Sequence, residues 1–394
     1  MNNALIARTF LRLGLISFGG PTAHIGYFRD EFVKEKKWLL EGDFSSLLAI
    51  CQALPGPTSS QMVFSIGLKK GGFLSAYIAL IAFSCPSVFL MIFLGLGYSL
   101  NLFLLNQSTI TAISVVAIPV VGMAVFSMFK SFCRSYHEKI FFLTLTILLT
   151  FFELFYYPVI ILITSWLAGV FFYKKSDMNI KAQPLIEKLN RYPVYGSLFV
   201  GIVIFIHLNF LLFGSIDPSL KHLFNSGFLI FGGGHVVLPL LHDWFVNQEI
   251  ISSNDFFLGY GFAQAIPGPL FSFASYLGTI VSGSLIPEKI LMGLVYLLAL
   301  YGSTLSLTPL ALHMWVSIEK IPVFLRGIKA VNIAVSALLC SCFLKLVLPS
   351  VITGYDSLVF LGMSVFLIYW FKAPIWGIVI LLGAVGYGFG MISG

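Results

Sequence analysis

Charge is what this chain has least of. Asp, Glu, Lys and Arg make up 10% of its 394 residues, against about a quarter in an ordinary soluble domain. So few charges cannot coat a water-facing surface, which excludes a soluble enzyme and a disordered regulator. Cysteine is also sparse. Cys51, Cys85, Cys133, Cys340 and Cys342 form no Cys-x-x-Cys pair, so no disulfide scaffold or thiolate metal site is expected, and all five read as small apolar packers. No P-loop, His-Glu-x-x-His or Gly-x-Ser-x-Gly run occurs, and these are the motifs of nucleotide hydrolysis, zinc proteolysis and serine hydrolysis. No enzymatic activity, cofactor or metal is therefore expected. A cleavable leader is not expected either, because Arg8 and Arg12 interrupt the first apolar run and Phe18-Gly19-Gly20-Pro21 follows it.

What the chain does have is hydrophobic length. Apolar residues make up 58% and the mean hydropathy is +0.96. A spanning helix needs about 20 apolar residues, so the expected fold is an all-α polytopic membrane protein in the cell membrane. Apolar runs fall at 4–27, 44–68, 72–98, 107–129, 140–154, 157–173, 195–214, 219–241, 256–282, 288–312, 328–348, 356–371 and 374–392. The most polar stretch lies between Lys174 and Pro193. It divides the chain into an N-terminal repeat (1–173), a linker (174–194) and a C-terminal repeat with one extra leading helix (195–394). The net charge of +7 is read as Lys and Arg on cytoplasmic loops rather than a nucleic-acid surface.

The halves repeat one another. At a shift of 213, Gly14, Phe18, Gly19, Gly20, Asp30, Phe32 and Val33 recur as Gly227, Phe231, Gly232, Gly233, Asp243, Phe245 and Val246. At 212, Asp43, Phe44, Gln52, Ala53, Pro55, Gly56, Pro57 and Ser60 recur as Asp255, Phe256, Gln264, Ala265, Pro267, Gly268, Pro269 and Ser272. Compositional bias does not reproduce that order and spacing. If every run crosses the membrane there are thirteen spans and the repeats are inverted. If 44–68 and 256–282 turn back at Pro-Gly-Pro, eleven spans remain and the repeats are parallel. Loop charge puts the linker in the cytoplasm either way and does not separate the two.

Each Pro-Gly-Pro must break its helix, because proline removes an amide donor and clashes with the preceding turn. Broken helices at matching places in two repeats point to a transporter's binding site. The restarting half-helices, at Thr58-Ser59-Ser60-Gln61 and Leu270-Phe271-Ser272, would offer free amides and a positive dipole end to an anion; packing kinks are the plainer alternative. Gly19-Gly20 with Thr22, and Gly232-Gly233-Gly234 with His235, form a second pair of backbone breaks, or sites of close helix packing. Gln52 and Gln264 could orient a ligand or satisfy a freed carbonyl. His24, Asp30 and Asp243 are candidates for proton coupling, although Asp30 and Asp243 also suit salt bridges. Asp43 and Asp255 read as helix N-caps.

Phe18-Gly19-Gly20-Pro21-Thr22-Ala23-His24-Ile25 and Gln52-Ala53-Leu54-Pro55-Gly56-Pro57 resemble the first half of the chromate ion transporter (CHR) family. Phe231-Gly232-Gly233-Gly234-His235-Val236-Val237-Leu238-Pro239-Leu240-Leu241 and the run Ala263 to Phe273 resemble its second half. The resemblance implies a long-chain, two-domain member with oppositely oriented halves, exporting chromate and handling sulfate, and it favours thirteen spans. His242-Asp243 stands where that family usually carries Glu, and Glu249-Ile250-Ile251 does not reproduce the aromatic-plus-basic pattern of Lys36-Lys37-Trp38. The expected partners are a chromate- or sulfate-like oxyanion and the lipid bilayer, with a homodimer left open and no nucleic acid. Sulfate uptake or exchange, and a structural membrane protein that moves nothing, are the competing readings.

Overall fold

The computed structural model describes residues 2–103, 105–152, 158–173, 217–231, 234–318 and 322–393. The linker 174–194, the leading helix expected at 195–214, Glu153, Gly232 and Gly233 lie outside these residues, as does the side chain of Thr22. The described residues contain helices and no strand.

The first half contains α1 (Asn3–Ile16), α2 (Gly20–Arg29, continued by a π-turn), α3 (Glu41–Ala53), α4 (Thr58–Gly71), α5 (Phe73–Ser99), α6 (Gln107–Ser114), α7 (Ala117–Phe132), α8 (Tyr136–Phe151) and α9 (Pro158–Phe172). The second contains α10 (Pro218–Leu229), a 3-10 turn leading into α11 (Val237–Phe245), α12 (Ser253–Ala265), and a 3-10 turn leading into α13 (Phe273–Val281). It continues through α14 (Ile286–Leu300), α15 (Gly302–Ile318), α16 (Pro322–Cys342), α17 (Leu348–Val351), α18 (Tyr355–Tyr369) and α19 (Ile375–Ser393).

Among the described residues, five segments are long and apolar enough to cross a bilayer: Phe73–Ser99, Gln107–Phe132, Ile286–Leu312, Val323–Val351 and Ile375–Ile392. Their outer faces carry Ile81, Phe89, Phe126, Leu298 and Ile380 exposed, as a lipid-facing surface requires. The elements that begin each half behave differently. At 1.5 Å per residue, the 14 residues of α1 reach about 21 Å, short of a hydrocarbon core of about 30 Å. The chain then turns back. Phe10 packs on Phe32 with ring centroids 5.1 Å apart, Arg12 faces Glu31 at 3.6 Å, and the Ser17 carbonyl meets His24 Nε2 at 3.1 Å. These contacts nest around Gly19-Gly20, so α1 and α2 run antiparallel.

Three more hairpins follow the same logic. Around Pro55-Gly56-Pro57, Cys51 Sγ lies 3.7 Å from Ser65 Oγ and Lys69 pairs with Asp43 further out. In the second half His222 stacks on Trp244 at 4.7 Å, and the Trp244 indole donates to Ser219 Oγ at 3.1 Å. Phe256 packs on Phe273 at 5.1 Å, and Tyr276 Oη donates to the Asp255 carbonyl at 3.2 Å. The runs 4–27, 44–68, 219–241 and 256–282 therefore fold back rather than cross, which corrects the thirteen-span count. The eleven-span alternative falls short too, since α2 packs back beside α1 and α11 beside α10. The reading of Asp43 and Asp255 as N-caps also fails. Asp43 lies inside the first turn of α3 and is held by Lys69. Ser252 caps α12, accepting the Asp255 amide at 3.1 Å, while the Asp255 carboxylate takes the Tyr98 hydroxyl.

Helix α5 ties the hairpins together. Near its start, Ser75 Oγ donates to Asn3 Oδ1 at 2.6 Å. Near its middle, Ser87 lies against Gly268. Near its end, Tyr98 binds Asp255. Ser75 and Tyr98 are separated by about 35 Å of helix at the α-helical rise. The bases of the first-half hairpins thus lie at one end of α5, the base of the α12–α13 hairpin lies at the other, and the tips lie between.

α1 approaches α5 closely because Gly14 lacks a side chain: a Cβ there would collide with the Phe83 carbonyl oxygen. Gly14→Ala should force the two backbones apart at a cost of about 1–3 kcal/mol, lowering the thermal midpoint in detergent by several degrees. Gly26→Ala, where nothing lies within 4 Å of the added Cβ, should leave the midpoint unchanged or slightly raised, because alanine favours helix.

Candidate functional site

The hairpin tips close on one another through backbone. The Gly56 amide donates to the Ile230 carbonyl at 2.6 Å, and the Gly268 amide donates to the Ser17 carbonyl at 2.9 Å. Ser17 and Ile230 are the C-caps of α1 and α10. Each Pro-Gly-Pro break is therefore tied to the end of the first helix of the opposite half, and the exchange is reciprocal. Gly56 has φ 121° and Gly268 φ 104°, in the left-handed region that L side chains avoid. A Cβ on Gly56 would also come within 2.6 Å of Gln61 Nε2, and one on Gly268 within 3.0 Å of Ser87.

Polar groups gather around this crossing. Pro57 precedes α4 without a side-chain cap, and the buried first turn of Thr58, Ser59 and Ser60 has amides with no carbonyl behind them. Gln61 Nε2 donates to the Pro55 carbonyl at 2.7 Å, satisfying an acceptor that the break releases. Its Oε1 is buried without a partner, as are Ser17 Oγ, Ser303 Oγ and Gln264 Nε2. Ser303 Oγ lies 3.4 Å from where a Gly56 Cβ would stand. Tyr301 Oη joins the halves, 3.3 Å from Ser60 Oγ and 3.0 Å from Ser84 Oγ, with its ring 5.7 Å from Phe271. Buried unpaired polar atoms cost about 1–3 kcal/mol each, so a cluster of them at one crossing marks a place where a polar guest gains most. The mixture of amides and hydroxyls suits an anion.

The sequence-predicted residues divide. Gly19, Gly20, Gly234, Pro55, Gly56, Pro57, Pro267, Gly268 and Pro269 form the tips. His24 is buried beside them, and His235, whose Nδ1 lies 2.8 Å from Tyr260 Oη, has its Nε2 3.4 Å from where a Gly20 Cβ would stand. Leu270, Phe271 and Ser272 are buried in the turn before α13, but the Ser272 hydroxyl is committed to the Pro269 carbonyl at 2.9 Å. Gln52 and Gln264 do not behave alike: Gln52 is exposed and Gln264 is buried. Asp30 pairs with Lys34 at 2.6 Å and Asp243 with Asn247 at 3.0 Å, both near the outer ends of their hairpins rather than at the tips. Gly232, Gly233 and the Thr22 side chain lie outside the described residues. Sequence reasoning missed Tyr301, Ser303 and Ser84, which belong to no motif; their one signal is a hydroxyl inside an apolar run.

A cavity of about 840 Å³ lies elsewhere, bordered by Arg134, Glu138, Phe141, Tyr173 and Lys329. Its acidic group is already satisfied. Burial pushes the Glu138 carboxyl up, but Lys329 at 2.6 Å and the amides of Ser135 and Arg134 outweigh that and hold it at about 2.

The family model described as Chromate transporter matches residues 4–170 and 219–389. An uncharacterized transporter of Methanocaldococcus jannaschii is 27% identical over 282 residues, 71% of this chain and 69% of that one. A chromate transport protein of Pseudomonas aeruginosa is 25% identical over 298 residues, 71% of this chain and 66% of its own length. One of Cupriavidus metallidurans is 24% identical over 283 residues, 70% of this chain and 66% of its own. The matched region thus spans about two thirds of these relatives. No solved structure matches the chain.

Tyr301 supplies the check on the crossing. Tyr301→Phe keeps the ring against Phe271 and deprives Ser60 and Ser84 of their shared partner. It should lower the free energy of unfolding by about 1–2 kcal/mol, measured by denaturant titration in mixed micelles, with expression unchanged.

Proposed function

This chain belongs to the chromate transporter family, and from that premise we propose that it is a secondary transporter exporting a tetrahedral oxyanion, chromate first, driven by the membrane potential or an ion gradient. The observation that carries the reading is the crossing of the two proline breaks, with the free amides of Thr58, Ser59 and Ser60 and the unpartnered Ser303 hydroxyl beside it. Such groups bind an anion without a fixed cation. That suits transport, because a site meant to release its cargo gains from moderate affinity. Sulfate, of the same shape and charge, is the second reading. Flux of labelled chromate or sulfate into or out of liposomes tests both; no flux above empty liposomes would favour a structural membrane protein.

The halves are read as inverted repeats, 1–173 and 195–394, entering from opposite faces. Supporting this, Asn3 meets one end of α5 and Asp255 the other. Charge agrees: among the described residues, Lys34, Lys36, Lys69, Lys70, Arg134 and Lys329 fall toward the Asn3 end, whereas Lys221, Lys289 and Lys345 fall toward the Asp255 end. By the positive-inside bias the Asn3 end is cytoplasmic, and the 174–194 linker is assigned there. Single cysteines at Gly42 and Asn254, in otherwise cysteine-free protein, should react with an impermeant maleimide from opposite sides of the plasma membrane. Reaction from one side would sink the inversion.

Energetics favour efflux. One charge crossing 100 mV is worth about 2.3 kcal/mol, so an anion leaving a negative interior gains about 2.3 kcal/mol for each charge it carries, a concentration ratio of roughly 50 for a singly charged anion and roughly 10³ for a dianion. An inside-negative potential should therefore drive chromate out of vesicles with no pH gradient, and valinomycin with balanced potassium should slow it. Full rate restored at zero potential by a pH gradient alone would replace this drive with proton coupling, with His24, His235, Asp30 and Asp243 the residues to test.

A further inference from the structure

We propose that the site takes the singly protonated form of its oxyanion, and that Gln61 is the acceptor that selects it. This rests on the transport reading above and adds the chemical state of the cargo.

The geometry of one amide carries the argument. Gln61 Nε2 donates to the Pro55 carbonyl at 2.7 Å. A carbonyl only accepts, so the flipped amide would set two oxygens against each other and the orientation is fixed. Gln61 Oε1 is therefore an acceptor, fully buried and without a partner. Gln61 stands on the same first stretch of α4 as the amides of Thr58, Ser59 and Ser60, and its side-chain amide and the Ser303 hydroxyl both border the space beside Gly56. A fully dissociated tetrahedral oxyanion has only acceptors. It could take the donors but would set an oxygen against Oε1. A singly protonated oxyanion brings one O–H for Gln61 and leaves its other oxygens for the donors, so neither Oε1 nor the donors are set against a like group. A site built around such a hydroxyl rejects the analogue that lacks it far better than an apolar pocket could.

The consequence is selectivity between two anions of one shape. Chromate gains its first proton near neutral pH and so supplies the matching form in the cytoplasm. Sulfate does not. The position equivalent to Gln61 in the second half is Phe273, so the acceptor is present on one side only.

The titratable groups on elements packed around the first turn of α4 are Cys51 on α3, His24 on α2 and Tyr301 just before α15. His235 faces Gly20 across the tips. Tyr77, Cys85 and Tyr98 lie elsewhere on α5, Arg8 and Arg12 on α1, and Lys69 with Asp43 at the far end of the hairpin. His24 and His235 could impose a pH dependence of their own, but it would act on both anions alike.

The test uses the full chain in liposomes at zero potential, with equal pH on both sides, stepped from about 6 to about 8.5. Initial chromate rates should fall about tenfold per pH unit above neutrality, tracking the protonated fraction, while sulfate rates stay low and flat. Gln61→Leu should flatten the chromate profile and lower the chromate-to-sulfate ratio about tenfold. Chromate rates flat or rising with pH would overturn the proposal from the wild-type protein alone, whether or not the variant folds. A sulfate profile parallel to that of chromate would assign the pH dependence to the protein, and an unchanged ratio in Gln61→Leu would remove Gln61 from the role. The transport reading fails separately, through no flux of either anion, while wild-type flux when Pro55-Gly56-Pro57 is replaced by three alanines would show the breaks to be packing kinks and overturn the site itself.

Discussion

A helix interrupted inside a bilayer must find partners for the backbone groups it releases, and no water is there to supply them. The rest of the fold follows from how this chain meets that demand. Each Pro-Gly-Pro break gives its one available amide to a carbonyl released at the end of a helix in the other half. Two deficits cancel, and neither half could do this alone. The hairpins must then be short enough to meet midway, and they must be sheathed by full-length helices. Both conditions hold: residues 58–68 of α4 are buried throughout, although several are polar, while the long spans turn apolar faces outward.

The same arrangement explains why the crossing can bind. Once the Gly56 and Gly268 amides are spent on the Ile230 and Ser17 carbonyls, the amides just beyond Gly56, at Thr58 to Ser60, remain free. Gln61 closes the Pro55 carbonyl, and Tyr301 pins Ser60 to α5. What remains unpaired there includes the Thr58 to Ser60 amides, the Ser17 and Ser303 hydroxyls and the acceptors Gln61 Oε1 and His24 Nδ1, held by groups that are themselves hydrogen-bonded. Rigidity comes from the closed pairs and recognition from the open ones.

Much of this was legible beforehand, because proline and glycine act locally. Pro55, Pro57 and their counterparts announce a break wherever they stand in a helix, and the matched copies mark where to look. What could not be read was the path after each break. Hydropathy assigns 4–27 and 44–68 to spans because a hairpin buried in protein is as apolar as a helix buried in lipid. The distinction lies in tertiary contacts such as Cys51 with Ser65. Loop charge tied between the two topologies for the same reason: both treated the Gly19-Gly20 segment as a crossing. Tyr301 and Ser303 escaped notice because a single hydroxyl in an apolar run has many explanations. Asp30 and Asp243 drew notice because they repeat, yet they sit near the outer ends of their hairpins, where a carboxylate costs little.

The reciprocal bonds also set a problem in time. Gly56 and Ser17 leave the ribosome well before Ile230 and Gly268 exist. At about 5–20 residues per second, the wait is of the order of ten to forty seconds. Throughout it the first two hairpins hold broken backbone at membrane depth with no second half to accept it. A nascent chain in that condition needs shelter from lipid, whether in the insertion machinery or in a shallower provisional seat. The fold therefore completes by docking a waiting half onto an arriving one, and its early hairpins are where biogenesis is most exposed to failure.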